Sequence, residues 1–286
     1  MGGSFLIFYI QAMNYIDKLF NLEEKVALIT GGGGVLAGAI SSGLAKAGAK
    51  IILADINLEK AVANAESIIG KDCSAYGLHM DALDTGSIKE GCEYILREHG
   101  RIDILVNAAG GNIPGATISP EKTIFDLNIK DFDRVSDLNY KSTLLPTLEV
   151  GRIMARQKSG SIINISSMAA MRTITRVVGY SAAKAAVSNF TQWMAMEMAM
   201  KHSGAIRVNA IAPGFFIGDQ NRALLTNPDG SPSERGKLVI QNTPVGRFGD
   251  PDELIGAVLF LASDAASFVT GVIIPVDGGF SFHSGV

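Results

Sequence analysis

The sequence predicts a single α/β domain in which a seven-stranded parallel sheet is doubly wound, with helices on both faces. Three observations carry this expectation. Short apolar runs recur at 25–30, 50–55, 77–81, 102–110, 161–167, 206–213 and 271–279. A dozen or more residues separate each run from the next, the length of a crossover between parallel neighbours. Hydrophobic residues make up 47% of the 286 and charged residues 19%, a balance expected when strands are covered on both faces.

In chain order, "MGGSFLIFYIQAMNYIDKLF" opens with an apolar run that lacks a basic leader and is interrupted by Gln11 and Asn14 short of a membrane span. Residues 1–20 are read as an N-terminal extension, with Met13 as an alternative start that the intact mass of the native protein would test. The domain is expected over 21–286. "KVALIT" forms the first strand and runs into "TGGGGVLAGAI" at 30–40, which opens a helix. "KIILAD" ends the second strand on Asp55, "GLHMD" the third on Asp81, and "IDILVNAAG" the fourth in a turn at 107–110. "SIINISS", "IRVNAIAP" and "GVIIPVDGG" supply the remaining three.

From about 215 to 250 the pattern is irregular, and "NPDGSPSERG" carries turn chemistry. Residues 215–245 are read as a lid over a substrate, the plain alternative being a surface loop without a role. Ligands of such a sheet bind beyond the carboxyl ends of its strands.

Composition also excludes. A net charge of −3 with scattered Lys and Arg offers no field for nucleic acid, and no segment reads as a membrane span. Cys73 and Cys92 are too few for a disulfide framework, and no Cys/His spacing suits a metal, so the cytoplasm is the expected compartment. The expected partner is a small molecule.

The glycine loop follows a strand and opens a helix, the context in which glycines let the backbone approach a pyrophosphate. A plain turn is the alternative, but four consecutive glycines, Gly31 to Gly34, exceed what a turn requires. Asp55, 24 residues after Gly31, can accept hydrogen bonds from ribose hydroxyls and would repel a 2′-phosphate. Ile56 follows it where a basic residue would favour NADP. NAD is therefore the expected cofactor, a solvated helix-start residue being the other reading of Asp55.

Tyr180 and Lys184, in "GYSAAKAAV", are four apart and share a helix face. A cation about 4 Å from a phenolate stabilises it by about 4 kcal/mol at an effective dielectric of about 20, or roughly three pKa units. In isolation, Tyr-x-x-x-Lys reads as well as a packed tyrosine and a solvated lysine.

Taken together, "TGGGGVLA" at 30–37, Asp55, Asp81, "NAAG" at 107–110, Asn139, "NISS" ending at Ser167, "YSAAK" at 180–184 and "RVNAIAPG" at 207–214 resemble the short-chain dehydrogenase/reductase family over residues 20–280, whose fold is of Rossmann type. The resemblance implies that Tyr180 is the acid in ketone reduction and the base in alcohol oxidation. By the same carry-over Ser167 bonds the substrate oxygen, Lys184 lowers the tyrosine pKa and binds the nicotinamide ribose, and Asn139 holds a water linking that lysine to solvent. It further implies cofactor contacts from Gly31, Gly33, Gly34 and Leu36, from Asp55 and Ile56, from Asp81 and Ala82 at the adenine, from Asn107, Ala108 and Ala109, from Tyr180 and Lys184, and from Pro213 and Gly214 near the nicotinamide. The sequence departs from the family where Val35 and Ala37 replace usual glycines, so phosphate contacts lean on Gly31 to Gly34 and on Leu36.

Within the family, "GGNIPGAT" at 110–117 and "PGFFIGDQNRALL" at 213–225 look like the D-mannonate oxidoreductase subgroup, which implies interconversion of D-mannonate and D-fructuronate. Arg176 is a candidate carboxylate clamp and Asn112 and Gln220 candidate hydroxyl partners, with Arg172 and Arg222 weaker candidates and a solvent-facing arginine the alternative for each. Ser167 also belongs to the substrate set. A gluconate-type or other polyol dehydrogenase shares every catalytic and cofactor residue, and a β-ketoacyl reductase is opposed by Asp55. A non-catalytic NAD(H)-sensing protein is the alternative of another class. The helix at 182–200 is apolar on more than one face, and the resemblance implies a homotetramer, with a homodimer also open.

Overall fold

A computed structural model describes residues 15–68, 73–218 and 221–285. The first fourteen residues of the expected extension and Gln220 lie outside the described residues, while 15–20 are helical. The seven strands are β1 Val26–Thr30, β2 Lys50–Asp55, β3 Ser74–His79, β4 Ile104–Asn107, β5 Gly160–Ile165, β6 Ile206–Pro213 and β7 Ile273–Val276. They form one sheet in the order β3-β2-β1-β4-β5-β6-β7, with every pairing parallel. The order reverses between β1 and β4, so the crevice at their carboxyl ends is where a ligand of such a sheet sits.

Helices α1 (Val35–Lys46), α2 (Leu58–Ile68) and α8 (Ile255–Ala262) cover one face, and α3 (Thr85–His99), α4 (Ile129–Gln157) and α5 (Val178–Lys201) the other. Two shorter helices, α6 (Arg222–Leu225) and α7 (Glu234–Gln241), lie between β6 and α8. Each face has its own core, with Ile29, Ile51, Leu53 and Val106 pointing to the first and Leu28, Ile52, Leu105 and Ile162 to the second. Successive strand residues thus alternate between two buried sides, which is why the runs show no polar alternation. Local chemistry sets helix ends: Asp84 caps α3 through the amides of Gly86 and Ser87, and Gly100 closes it at φ 78°.

Strand limits differ from expectation for local reasons. β3 begins three residues before the expected 77, since Gly77 lies mid-strand, where a Cβ would come within 2.7 Å of Val62. β4 ends at Asn107 because 108–110 turn into the crevice. β5 runs from Gly160 to Ile165, and Ser167 leaves it to cap a 3-10 turn at Met168–Ala170. β7 stops at Val276, ahead of the turn made by Gly278 (φ 61°) and Gly279 (φ 89°).

Asp103, only 4% exposed, secures the amino end of β4: its carboxylate accepts the Val26 amide at 3.0 Å and a forked pair of bonds from Arg101. Asp103→Ala leaves a buried amide without its acceptor and is expected to cost about 2 kcal/mol. A fall in the urea midpoint at constant slope would be the readout.

Candidate active site

The crevice floor is built by glycine. Gly31 has φ 66°, and a Cβ there would stand 2.7 Å from the Ala109 backbone, so the turn after β1 and the turn after β4 touch. The Gly33 amide donates to Asp55 Oδ2 at 2.9 Å, and Asp55 Oδ1 accepts the Asn57 amide at 2.8 Å. The acid ending β2 therefore shapes the loop and still retains acceptor capacity on both oxygens. At the start of α1, Gly34 provides no side-chain cap, which leaves first-turn amides and the positive helix end facing the crevice. This cradle fits a pyrophosphate.

Asn64 on α2 is a further member that sequence spacing does not reveal. Its Nδ2 donates to the Gly32 carbonyl at 2.7 Å and to that of Gly34 at 3.3 Å, holding the loop from outside. Asn64→Ala is expected to weaken NADH binding about tenfold by loosening the loop, with little change in melting temperature. Titration of NADH fluorescence would check it.

Two residues beyond β3, Asp81 accepts the Leu83 amide at 2.8 Å, and its own amide donates to Ser87 Oγ; Ala82 beside it is buried. Ile56 is exposed. The Asn107 side chain points into the sheet and not into the crevice, donating to Thr147 Oγ1 and Asn164 Oδ1, both at 2.8 Å. Asn164 in turn donates to Thr191 Oγ1, so one polar chain joins β4, β5 and α5. Asn107 positions the turn, while Ala109 is held by Thr30 Oγ1 and by Ser142 Oγ.

Asn139 is fully buried and grips Gly111 from both sides: the Gly111 amide donates to its Oδ1 at 3.0 Å, and its Nδ2 donates to the Gly111 carbonyl at 2.6 Å. A Cβ on Gly110 would lie 2.7 Å from Asn139 Oδ1 and 3.4 Å from Lys184 Nζ. The turn after β4 is thereby packed directly on the catalytic candidates. At the opposite edge, the Gly214 amide bonds the Val276 carbonyl, and a Cβ on Gly214 would meet Asp277 at 2.7 Å.

Tyr180 and Lys184 occupy the first turns of α5 and share a face, with Lys184 Nζ 5.7 Å from the tyrosine ring centroid. Lys184 is 4% exposed and donates to the Ile165 carbonyl at 2.8 Å. Burial lowers its pKa from 10.5 to about 8. Burial raises the Tyr180 pKa above 10.0, and a hydrogen bond with the Ser167 side chain pulls it back. Desolvation thus opposes the lowering expected from the lysine. Ser167 Oγ also accepts the Ala169 amide at 3.1 Å, which fixes it beside the phenol.

On the remaining side, Arg176 lies half-buried in the loop before α5 at φ 77°, its carbonyl accepting the Ile118 amide. Asn112 donates to Thr117 Oγ1 at 2.8 Å. Arg172 donates to the His283 carbonyl at 2.7 Å and is engaged with the chain's end, while Arg222 is exposed. The excursion after β6 is closed at its base by pairing of Phe216 with Gly249. From α7 within it, Arg235 donates to Thr175 Oγ1 at 3.3 Å. Nothing in the spacing of the sequence marks Arg235 as a neighbour of that loop.

Among the described residues, no group of three His, Cys, Asp or Glu could hold a metal ion, and no helix is long and apolar enough to cross a membrane. Burial pushes the Cys92 thiol up to about 12, which leaves it unreactive.

Residues 34–281 match the family model for Enoyl-(Acyl carrier protein) reductase. An uncharacterized oxidoreductase of Haemophilus influenzae is 44% identical over 277 residues, covering 93% of this chain and 96% of its own. The NAD-bound structure of a candidate D-mannonate oxidoreductase from Haemophilus influenzae superposes with a TM-score of 0.87 at 44% identity, covering 95% of this chain and 100% of that one. A gluconate 5-dehydrogenase from Burkholderia cenocepacia, in complex with NADP and tartrate, gives a TM-score of 0.80 at 32% identity, covering 93% and 98%.

Proposed function

The chain belongs to the short-chain dehydrogenase/reductase family and is an oxidoreductase, and from that premise we propose that it interconverts D-mannonate and D-fructuronate with NAD(H). The observation that carries this reading is the half-buried Arg176, placed four residues before Tyr180 and suited to a carboxylate. Similarity to a candidate D-mannonate oxidoreductase over 95% of the chain supports it.

NAD is favoured by Asp55, whose carboxylate beside the Gly33 amide would face a 2′-phosphate. Gly31, Gly33, Gly34 and Leu36 would hold the pyrophosphate, Asp81 and Ala82 the adenine, and the 107–109 and 213–214 turns the nicotinamide half. Lys60 on α2, whose Cβ lies beside Gly33, is the residue an NADP-binding variant would recruit.

The nicotinamide, when bound, supplies or accepts the hydride. In ketone reduction, Tyr180 delivers a proton to the oxygen of the reacting carbonyl, and Ser167 donates a hydrogen bond to that oxygen. Burial brings the Lys184 pKa down to about 8, so it can return a proton to the phenol, and its charged form favours the phenolate. Asn139 fixes the Gly110–Gly111 turn against that lysine. In oxidation the same groups act in reverse.

The second reading, a gluconate-type dehydrogenase, is favoured by the Burkholderia cenocepacia similarity. Nicotinamide absorbance with D-fructuronate against 5-keto-D-gluconate, each with NADH and NADPH, separates the two. Turnover strongest on the gluconate-derived ketone would discard D-fructuronate and keep the chemistry, and NADH binding without turnover of any ketone would favour a sensor.

Residues 215–245 act as the lid in this reading. Association as a homotetramer or homodimer is supported by Trp193 (53% exposed), Met196 (51%) and Met200 (78%) on one side of α5, with Leu148 exposed on α4. Light scattering of the purified protein tests it, and a monomer at micromolar concentration would overturn it. The cytoplasm is the compartment in which such an enzyme would act.

A further inference from the structure

We infer that Arg235 joins Arg176 in a subsite that holds the substrate carboxylate, an inference that rests on the sugar-acid reading above and names the specificity residue it lacks. Arg235 reaches from α7 to the loop before α5 and is half-buried there. Its two bonds, to Thr175 Oγ1 at 3.3 Å and to the Thr175 carbonyl at 3.5 Å, are long, and its enclosed Nε has no hydrogen-bond partner among the described residues. A guanidinium carries five donors in a planar fork, so most of its hydrogen-bonding capacity stays open toward a planar anion.

The next residue along that loop is Arg176, also half-buried. Neither arginine makes an ion pair within 4.0 Å among the described residues. Glu121, the acid within electrostatic range of Arg176, is exposed and turned to the Ser119 hydroxyl. Burial, together with the charge of Arg176, pushes the Arg235 guanidinium below its ordinary range. Two neighbouring cations that form no close ion pair among the described residues, partly withdrawn from water, are costly to fold. A shared carboxylate relieves that cost and can be gripped by both forks.

Position favours substrate as the source of that carboxylate. The loop bearing Thr175 and Arg176 runs directly from the Ser167 turn into the first turn of α5, where Tyr180 lies. D-fructuronate has its ketone and its carboxylate toward opposite ends of a six-carbon chain. A carboxylate held by the arginines directs the other end along the loop toward Tyr180 and Ser167. Because Arg235 arrives from the excursion after β6, charge recognition and placement of that segment are one event.

The test compares kcat/KM for D-fructuronate with that for its neutral counterpart D-fructose, using NADH, in the parent, Arg235→Met and Arg235→Lys. The parent is expected to prefer the acid, and Arg235→Met to lower that preference by about 10- to 100-fold, the range of a charge-assisted hydrogen bond, chiefly through KM. Arg235→Lys keeps the charge without the fork and is expected to fall between, and it carries the test if Arg235→Met fails to bind NADH. An acid preference unchanged in the variants overturns the subsite and leaves the sugar-acid reading standing. No acid preference in the parent overturns the sugar-acid reading, and the subsite with it.

Discussion

Tyr180→Phe is expected to lower kcat for ketone reduction by about 10³-fold, within the range of a positioned general acid, and to leave NADH affinity within about twofold. The substitution removes one hydroxyl and keeps the ring against which Lys184 lies. Ser167 remains as the sole side-chain donor expected at the reacting oxygen, and a serine hydroxyl cannot yield its proton near neutrality. Single-turnover absorbance with saturating NADH isolates the chemical step, and fluorescence titration gives the affinity. A loss confined to KM would mean that the phenol only binds substrate and that the proton comes from elsewhere.

The second large effect concerns stability and runs opposite to activity. Lys184 titrates at about 8 in the folded chain against 10.5 ordinarily, so between those values the unfolded chain keeps a proton that the folded chain has released. Stability contributed at this site therefore rises with pH from about 8 to 10.5, and below pH 8 the whole cost of burying the charge is carried. The gap corresponds to roughly 3 kcal/mol, reduced by the bond to the Ile165 carbonyl that a substitution would forfeit. Lys184→Met is accordingly expected to abolish turnover yet gain about 2 kcal/mol at pH 7. The gain shrinks as pH rises toward 10.5. Urea melts at pH 7 and pH 9.5 read the difference directly, and a variant less stable than the parent at pH 7 would show that the ammonium is better solvated than its burial implies.

The fold and the placement of the candidate residues were legible where a residue type has few uses. Four glycines between a buried run and a helix leave little besides a cradle, and Gly31 does carry the positive φ such a turn needs. Tyr180 and Lys184 were legible because helical spacing alone puts them on one face. Strand limits were less so, since an apolar run reports burial while the ladder ends where Ser167 or Gly278 turns the chain. Least legible were polar side chains whose partners are remote. Asn107 belongs to a motif that touches the crevice, yet its amide faces Thr147 and Asn164, 40 and 57 residues on. Asn64 and Arg235 reach segments 32 and 60 residues away, and no local pattern encodes such pairings.

The bond between Asp55 and the Gly33 amide also constrains how cofactor preference can change. Replacing the acid deletes the acceptor that shapes the loop, so if Asp55 sets the preference proposed above, discrimination and grip are expected to fall together in a single substitution. Asn64, still bound to the carbonyls of Gly32 and Gly34, and the Gly32 amide on the Ala54 carbonyl would then hold the loop. A route from one dinucleotide to the other is therefore expected to pass through a weak-binding intermediate unless a second change, in the loop or at Lys60, comes first. Residues 33, 55, 60 and 64 are in mutual contact through the loop, so their substitutions are expected to be non-additive, and the order in which they are made matters.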